Sequence, residues 1–177
     1  MGVPSTQRVR TADEIAAVAT LAHEIWNQHF PPLIGQLKTD YMVDKFQSAP
    51  AIARQIRDDG YEYYLVADGN ERVGYFALVP DADRGSMQLS KIYLKLESRG
   101  RGLGLGLLSF VEQECASRGI RDLWLSVNKG NADSIGFYKR AGFAVVGATV
   151  TDIGNGFEMD DYRMAKTVAR HWHRAPP

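Results

Sequence analysis

Glycines at alternate positions mark residues 98–106, which read Ser-Arg-Gly-Arg-Gly-Leu-Gly-Leu-Gly. An apolar run at residues 87–96, typical of a β-strand, precedes this stretch, and apolar residues at helical spacing follow it up to Gly119. A strand, a glycine-rich loop and a helix in this order predict a right-handed crossover to the next strand, at residues 123–127. The sheet should therefore contain a parallel pair.

Hairpin turns predict that the rest of the sheet is antiparallel. Asp-Gly-Asn at 68–70 and Gly-Asn-Gly at 154–156 each separate two β-type runs. The predicted elements are a strand at 7–10, a helix from a Thr11/Glu14 capping box to about residue 29, short helices at 41–46 and 51–59, strands at 63–67, 73–79 and 87–96, a helix at 103–119, a strand at 123–127, a helix at 131–140, and strands at 143–153 and 157–167. This order predicts an α/β chain of the α+β type, with a mixed, mostly antiparallel sheet of six or seven strands flanked by helices.

Composition narrows the class of protein further. The 177 residues are 45% hydrophobic and 24% charged, as in ordinary globular proteins, and we expect a single domain at 1–168 with a loose C-terminal tail at 169–177. Lys and Arg total 21, as do Asp and Glu, which argues against a nucleic-acid or anionic-membrane partner. The lone Cys115 and the lack of a signal-like or membrane-spanning run favour a cytoplasmic protein.

The glycine-rich loop is a candidate anion site. Glycines let the main chain approach a ligand, and the N–H groups at a helix start lack internal acceptors and can bind phosphate oxygens. Arg99 and Arg101 add positive charge. The stretch lacks the Gly-Lys-Ser/Thr ending of a nucleoside triphosphate loop, and its glycine spacing differs from that of the dinucleotide fingerprint.

Two ordered motifs resemble those of the Gcn5-related N-acetyltransferase (GNAT) superfamily. Arg99, Gly102 and Gly104 match motif A, which is Arg/Gln-x-x-Gly-x-Gly/Ala after a strand. Residues 131–143 resemble motif B, through Asn131, Ser134, Phe137, Tyr138, Lys139, Arg140, Gly142 and Phe143. Within the superfamily the chain looks most similar to bacterial polyamine acetyltransferases of the PaiA type, at residues 92–105 and in the acidic last hairpin at 152–162.

The resemblance implies a V-shaped splay between strands four and five that holds acetyl-CoA, the co-substrate, with no metal. The implied cofactor-binding residues are Ile92, Tyr93 and Leu94 along the pantetheine arm, Arg99, Gly100, Arg101, Gly102, Leu103, Gly104 and Leu105 at the pyrophosphate, Asn131 on the other side of the arm, and Tyr138.

Two catalytic residues follow from the same resemblance. Tyr138 is the implied general acid for the departing thiolate, with simple packing against the cofactor as the alternative. The N–H of Ile92 is the implied oxyanion donor. Residues 87–91 lack the carboxylate that many relatives use as a general base, so the base is left open among water held by Gln88 and Ser90, or His29, Glu24 and Asp152.

The resemblance predicts an N-acetyltransferase that acts on a small primary amine by direct attack in a ternary complex, with polyamines first among acceptors. A protein lysine or N-terminal amine is the second possible acceptor. A CoA-binding sensor without turnover is the third interpretation, and a homodimer is possible. Carboxylates in the hairpin at 152–162 could attract a cationic amine, whereas a solvated turn or a dimer edge would explain them equally well.

Overall fold

The computed structural model describes residues 4–169, which form one mixed sheet with helices on both faces. The strands are β1 (Ser5–Arg8), β2 (Glu62–Asp68), β3 (Glu71–Asp81), β4 (Ser86–Leu94), β5 (Asp122–Asn128), β6 (Ala144–Gly154) and β7 (Phe157–Thr167). The helices are α1 (Ala12–His29), α2 (Pro31–Ile34), α3 (Gln36–Met42), α4 (Ala49–Asp58), α5 (Leu103–Ser117) and α6 (Ala132–Arg140), with a π-helical segment at Val43–Gln47 and a 3-10 turn at Leu96–Ser98.

The strand order is β1-β2-β3-β4-β5-β7-β6, and every neighbouring pair is antiparallel except β4 and β5. Helix α5 makes the crossover between these two parallel strands, as the strand-loop-helix order predicts. The β2–β3 and β6–β7 hairpins turn at the two predicted glycine-containing loops. The prediction of a mixed, mostly antiparallel sheet is therefore confirmed.

Strands β4 and β5 separate soon after they pair. Their register covers only three residue pairs, the last of which joins Gln88 to Trp124. On its other edge, β4 pairs with β3 through a bulge that leaves Ser90 without a partner, between the pairs Leu78–Leu89 and Ala77–Lys91. The predicted V-shaped splay is confirmed, and it begins beside this bulge.

The two faces of the sheet bury separate cores. One core packs α5 and α6 against the sheet and includes Met87, Leu89 and Cys115. Burial raises the pKa of the Cys115 thiol to about 11, so this cysteine is a small apolar core residue. The other core packs α1 and the short helices against the opposite face, around Trp26 and Tyr75. The cleft described below lies on this second face.

The start of α1 confirms the predicted capping box. The Glu14 N–H donates to Thr11 Oγ1 at 3.2 Å, and the Thr11 N–H donates to Glu14 Oε2 at 2.9 Å. The segment after α1 differs from prediction, because Pro31 and Pro32 occupy the first turn of α2, where proline needs no N–H acceptor. Helix α3 then begins at Gln36, five residues before the predicted start.

Two expectations concern the ends and surroundings of the chain. The predicted single domain at 1–168 stays a prediction, and residues 170–177 of the predicted loose tail lie outside the described residues. Among residues 4–169, no helix combines the length and the apolar character needed to cross a membrane.

Candidate active site

A cleft of about 480 Å³ lies over the point where β4 and β5 separate. Strand β4 forms one wall, and β5, β7 and β6 form the floor. Trp26, Phe30 and Met42 come from the helices that form the roof. Trp26 is buried, donates its indole N–H to the Tyr75 hydroxyl at 3.2 Å and stacks on Phe30, so it is a core residue that also borders the cleft.

The wall formed by β4 offers main-chain donors to the gap. The Lys95 N–H donates to the Val73 carbonyl at 2.8 Å, which fixes the alternation of hydrogen bonds between β3 and β4. By this alternation, the N–H groups of Ile92 and Leu94 point away from β3, toward the space that β5 leaves open. The side chains of Gln88 and Tyr93 line the cleft from the same strand.

The glycine-rich loop lies between β4 and α5. Gly100 and Gly102 have φ angles of +73° and +82°, which side chains other than glycine rarely adopt. The Gly106 N–H donates to the Gly102 carbonyl at 3.1 Å, which leaves the N–H groups of Leu103, Gly104 and Leu105 ahead of the first intrahelical acceptor. The loop thus presents a row of main-chain donors.

Glycine at position 104 has a packing role. A Cβ placed there would lie 3.1 Å from the Phe137 ring of α6. The loop and motif B are therefore in contact through this glycine, and a larger residue would push them apart.

The two arginines of the loop differ in their contacts. Arg99 donates through Nε to the Leu94 carbonyl at 3.0 Å, and its Nη1 lies 3.1 Å from His29 Nδ1. Arg101 forms an ion pair with Asp68 at 2.8 Å on the surface. Arg99 is therefore held at the cleft end of the loop, whereas the charge of Arg101 is already paired.

Motif B supplies Asn131, Ser134 and Tyr138 to the cleft lining. Asn131 caps α6 by accepting the Ser134 N–H at 3.3 Å, and its Nδ2 lies 3.3 Å from His29 Nε2. Tyr138 is buried and packs edge-on against Phe143, and burial raises the pKa of its hydroxyl. Asn131 and Tyr138 both line the cleft, and their predicted roles at acetyl-CoA stay predictions.

His29 bridges the two sides of the splay, between Arg99 and Asn131. Burial and the Arg99 charge lower the pKa of its imidazole. With both ring nitrogens engaged, His29 is better suited to positioning these two side chains than to removing a proton from a substrate.

The other candidate bases lie outside the cleft lining. Glu24 forms an ion pair with Lys95 at 3.4 Å. Asp152 accepts the Gly154 N–H at 2.7 Å within the last hairpin. Gln88 and Ser90 line the cleft. The water chain that these side chains would hold as the general base stays a prediction.

Asp161 and Lys91 are two of the four charged residues in the cleft lining that had no individual role predicted from the sequence, which gave Asp161 only a shared one in the acidic hairpin at 152–162. Asp161 lies on β7, where it pairs with Asn128 of β5 and Thr149 of β6, and all three side chains line the cleft. The alternation along β7 could have placed Asp161 on this face, but only with the strand register known. Lys91 is the second such residue.

Lys91 lines the cleft and is buried, with 6% of its surface exposed. Its Nζ donates to the Phe46 carbonyl at 2.9 Å, to Gln55 Oε1 at 2.8 Å and to the Tyr63 hydroxyl. In the described range no carboxylate lies within ion-pair distance of it. Burial lowers the pKa of this ammonium to about 7.

The last hairpin closes one side of the cleft by packing on α3 and the π-helical segment. The Tyr41 hydroxyl donates to the Ile153 carbonyl at 2.6 Å, and Lys45 donates to the same oxygen. Lys38 donates to the Glu158 carbonyl. The helices and the hairpin therefore border the same side of the cleft.

Comparison with known proteins gives the same family as the motifs. Residues 19–143, more than half of the chain, match the acetyltransferase (GNAT) family. An uncharacterized N-acetyltransferase of Mycobacterium tuberculosis, Rv2669, is 30% identical over 157 residues, which cover 89% of this chain and 97% of that protein. An L-methionine sulfoximine/L-methionine sulfone acetyltransferase of Pseudomonas aeruginosa is 34% identical over 93 residues, 50% of this chain and 54% of that protein.

A solved structure has the same fold. The PaiA N-acetyltransferase from Thermoplasma acidophilum, in complex with coenzyme A, has a TM-score of 0.72 at 18% identity, over 92% of this chain and 99% of that one. The motifs, the splayed β4–β5 pair and these relatives agree. The chain belongs to the GNAT acetyltransferase family and is an acetyl-CoA-dependent N-acetyltransferase.

Proposed function

We propose that this chain transfers the acetyl group of acetyl-CoA to a primary amine of a small molecule, by direct attack in a ternary complex. The observation that carries the proposal is the cleft at the β4–β5 splay, which has Tyr138 in its lining and the last hairpin packed over its acceptor side. A protein lysine or N-terminus would need an open groove there. The enclosure therefore favours a small acceptor.

The residues at the splay fit acetyl-CoA. A thioester with a long polar arm and a pyrophosphate needs main-chain donors along an extended path and an anion site at its end. The donors of Ile92 and Leu94 face the gap, and the N–H groups at the start of α5 follow. We assign the arm to Ile92, Tyr93, Leu94, Asn131 and Tyr138, and the pyrophosphate to Arg99, Gly100, Arg101, Gly102, Leu103, Gly104 and Leu105.

Tyr138 is proposed as the general acid. Burial keeps its hydroxyl protonated, so a proton is available when the thiolate leaves. The same burial strengthens the thiolate as a proton acceptor, because it disfavours every anion formed beside the ring. The N–H of Ile92 is proposed to stabilise the oxyanion of the thioester carbonyl. Acetyl-CoA supplies the activated acyl group when bound.

Polyamines are the first acceptor class to test, since the cleft lining includes the carboxylate of Asp161. A specific observation favours a second class. Lys91 and Arg163 add positive charge to the lining, and the Pseudomonas relative acetylates derivatives of an amino acid, which carries a carboxylate. Spermidine and L-methionine sulfone are therefore the two acceptors that best distinguish the classes.

The test compares wild type with Tyr138→Phe in a thiol-release assay, with acetyl-CoA and each acceptor in turn. We expect turnover by wild type and a loss of about 100-fold or more in kcat for the variant, with acetyl-CoA affinity by calorimetry little changed. Tyr162→Phe, which removes a hydroxyl outside the cleft lining, is the matched control and should keep wild-type kcat.

Each other result points to a different conclusion. Full activity in Tyr138→Phe would reject the general-acid role and leave Tyr138 as a packing residue. Turnover only on peptides would move the acceptor to proteins. Binding of CoA without turnover on any amine would favour a sensor.

A further inference from the structure

We infer that Asp161 is the general base of this enzyme, the group that takes the proton which the acceptor's ammonium must lose before attack. The inference rests on the proposed function. The sequence lacks a carboxylate on strand β4 near the splay. Asp161 would supply the carboxylate from β7, on the opposite side of the splay.

The position of Asp161 carries the inference. Along β7 the side chains of Met159, Asp161 and Arg163 share the face that lines the cleft. Among the described residues, Asp161 is the one carboxylate in that lining. It is half-buried, which allows contact with a bound amine and release of a proton to solvent.

The carboxylate of Asp161 is also free to accept a proton. Within residues 4–169 it makes no ion pair, and no side chain donates a hydrogen bond to it. The nearby cations have other partners: Lys38 of α3 donates to the Glu158 carbonyl, and Lys129, after β5, pairs with Asp160 at 2.5 Å. A carboxylate in a cleft without a partner is a site for a cationic group from elsewhere.

The surroundings of Asp161 suit proton transfer. Burial is the main cause that raises the pKa of its carboxyl, and the neighbouring Asp160 charge adds to this, while Lys38 and Lys129 act in the opposite direction. On β4, Tyr93 faces the same region, and the charge of Asp161 contributes to its raised pKa. A raised carboxyl pKa lies closer to the pKa of the acceptor ammonium. Proton transfer from the ammonium to the carboxylate is therefore less unfavourable.

The buried ammonium of the cleft, Lys91, is less suited to this role. The Nζ of Lys91 is held by the Phe46 carbonyl, Gln55 and Tyr63, all on the side of the helices and β2. A substrate amine would have to displace this network before Lys91 could accept its proton.

The acceptor ammonium gives one proton to the Asp161 carboxylate, which later releases it to solvent. The neutral nitrogen forms a bond to the thioester carbonyl carbon, and the carbon–sulfur bond breaks. Tyr138 donates its proton to the thiolate and is reprotonated by the second proton lost from nitrogen, so the products are the amide, CoA thiol and one proton.

The test is the pH dependence of kcat/KM for Asp161→Asn, with spermidine and L-methionine sulfone as acceptors. We expect a loss of about 100-fold or more at pH 7, with acetyl-CoA affinity and melting temperature close to wild type. The deficit should shrink as pH rises toward the pKa of the acceptor amine, because solvent then supplies the neutral amine without a base. Asp160→Asn, an exposed neighbour paired with Lys129, should stay within about twofold of wild type at every pH.

The outcomes separate the two proposals. The assignment of the base would be overturned if wild type turns over and Asp161→Asn is equally active, or if the deficit of the variant is the same at every pH. Either result would leave the proposed function intact. A wild-type protein that binds CoA but acetylates no amine would overturn both.

Discussion

Replacing Lys91 with methionine should stabilise the protein in acid and destabilise it in alkali. The pKa of Lys91 falls from 10.5 in an exposed chain to about 7 in the fold because of burial. At about 1.4 kcal/mol for each tenfold change, the charged form costs the folded state about 5 kcal/mol relative to the unfolded chain. Methionine has a similar length and carries no charge, so the variant escapes this cost.

Lost hydrogen bonds offset part of the gain. Lys91 donates three, at about 1 kcal/mol each in net terms. The acceptors that remain still have donors, because Gln55 Nε2 donates to the Phe46 carbonyl at 3.2 Å and the Tyr63 hydroxyl donates to Gln55 Oε1 at 2.5 Å. No orphaned polar group is created. We therefore expect the variant to be more stable by about 1–2 kcal/mol at pH 6.

The sign of the effect changes with pH. Below pH 7 Lys91 is charged in both states and the full cost applies. Between pH 7 and 10.5 only the unfolded chain takes up the proton, so wild-type stability rises by up to about 1.4 kcal/mol per pH unit relative to the variant. Above this window both states are neutral and only the hydrogen bonds remain, which favour wild type. The free energies of unfolding of the two proteins should be equal at about pH 8 to 9.

Urea unfolding at several values between pH 6 and 9.5, with the free energy obtained by linear extrapolation, measures this difference directly. Lys139→Met, on the exposed face of α6, is the matched control and should show no such trend. A Lys91→Met protein that is less stable than wild type at pH 6, or a difference that does not vary with pH, would refute the reasoning.

Two substitutions outside the chemistry test the packing and the capping of the fold. In Gly74→Ala a Cβ would overlap the Tyr93 carbonyl oxygen and lie 2.8 Å from Leu94 Cδ2. The free energy of unfolding, measured with denaturant, should therefore fall by about 3 kcal/mol or more. Gly147→Ala, with open space around it, should leave that free energy nearly unchanged. Thr11→Ala removes the side chain that caps α1 and should cost about 1 kcal/mol in the same measurement, and an unchanged midpoint would show that the capping box contributes nothing.

Local patterns were enough to predict the order of most elements and the parallel β4–β5 pair. They also singled out motif residues, of which Tyr93, Asn131 and Tyr138 line the cleft while their roles stay predictions. Each depends on residues close together in sequence: a turn, a capping box, a glycine-rich loop. The helix at Pro31–Ile34 was missed because two prolines read as a break, although proline is compatible with a first turn.

The ionisable residues of the cleft depend on long-range register, which the sequence does not reveal. Strict alternation from Met87 and Leu89 would place Lys91 on the face that packs against α5. The bulge at Ser90 reverses the alternation, so Lys91 turns to the opposite face, toward Gln55 of α4. The facing of Asp161 likewise depends on its pairing with Asn128, which follows from the fit of the whole sheet.

The bulge at Ser90 explains several features of the cleft together. Parallel pairing with β5 stops at Gln88, two residues before it, and a bulge increases the local twist of a strand. Beyond it, the N–H of Ile92 faces the gap while the side chain of Lys91 faces the roof. The segment at which the cleft begins is thus the same one that buries a lysine with no carboxylate partner among residues 4–169. The stability cost of Lys91 near neutral pH therefore arises from the irregularity that provides the proposed oxyanion donor.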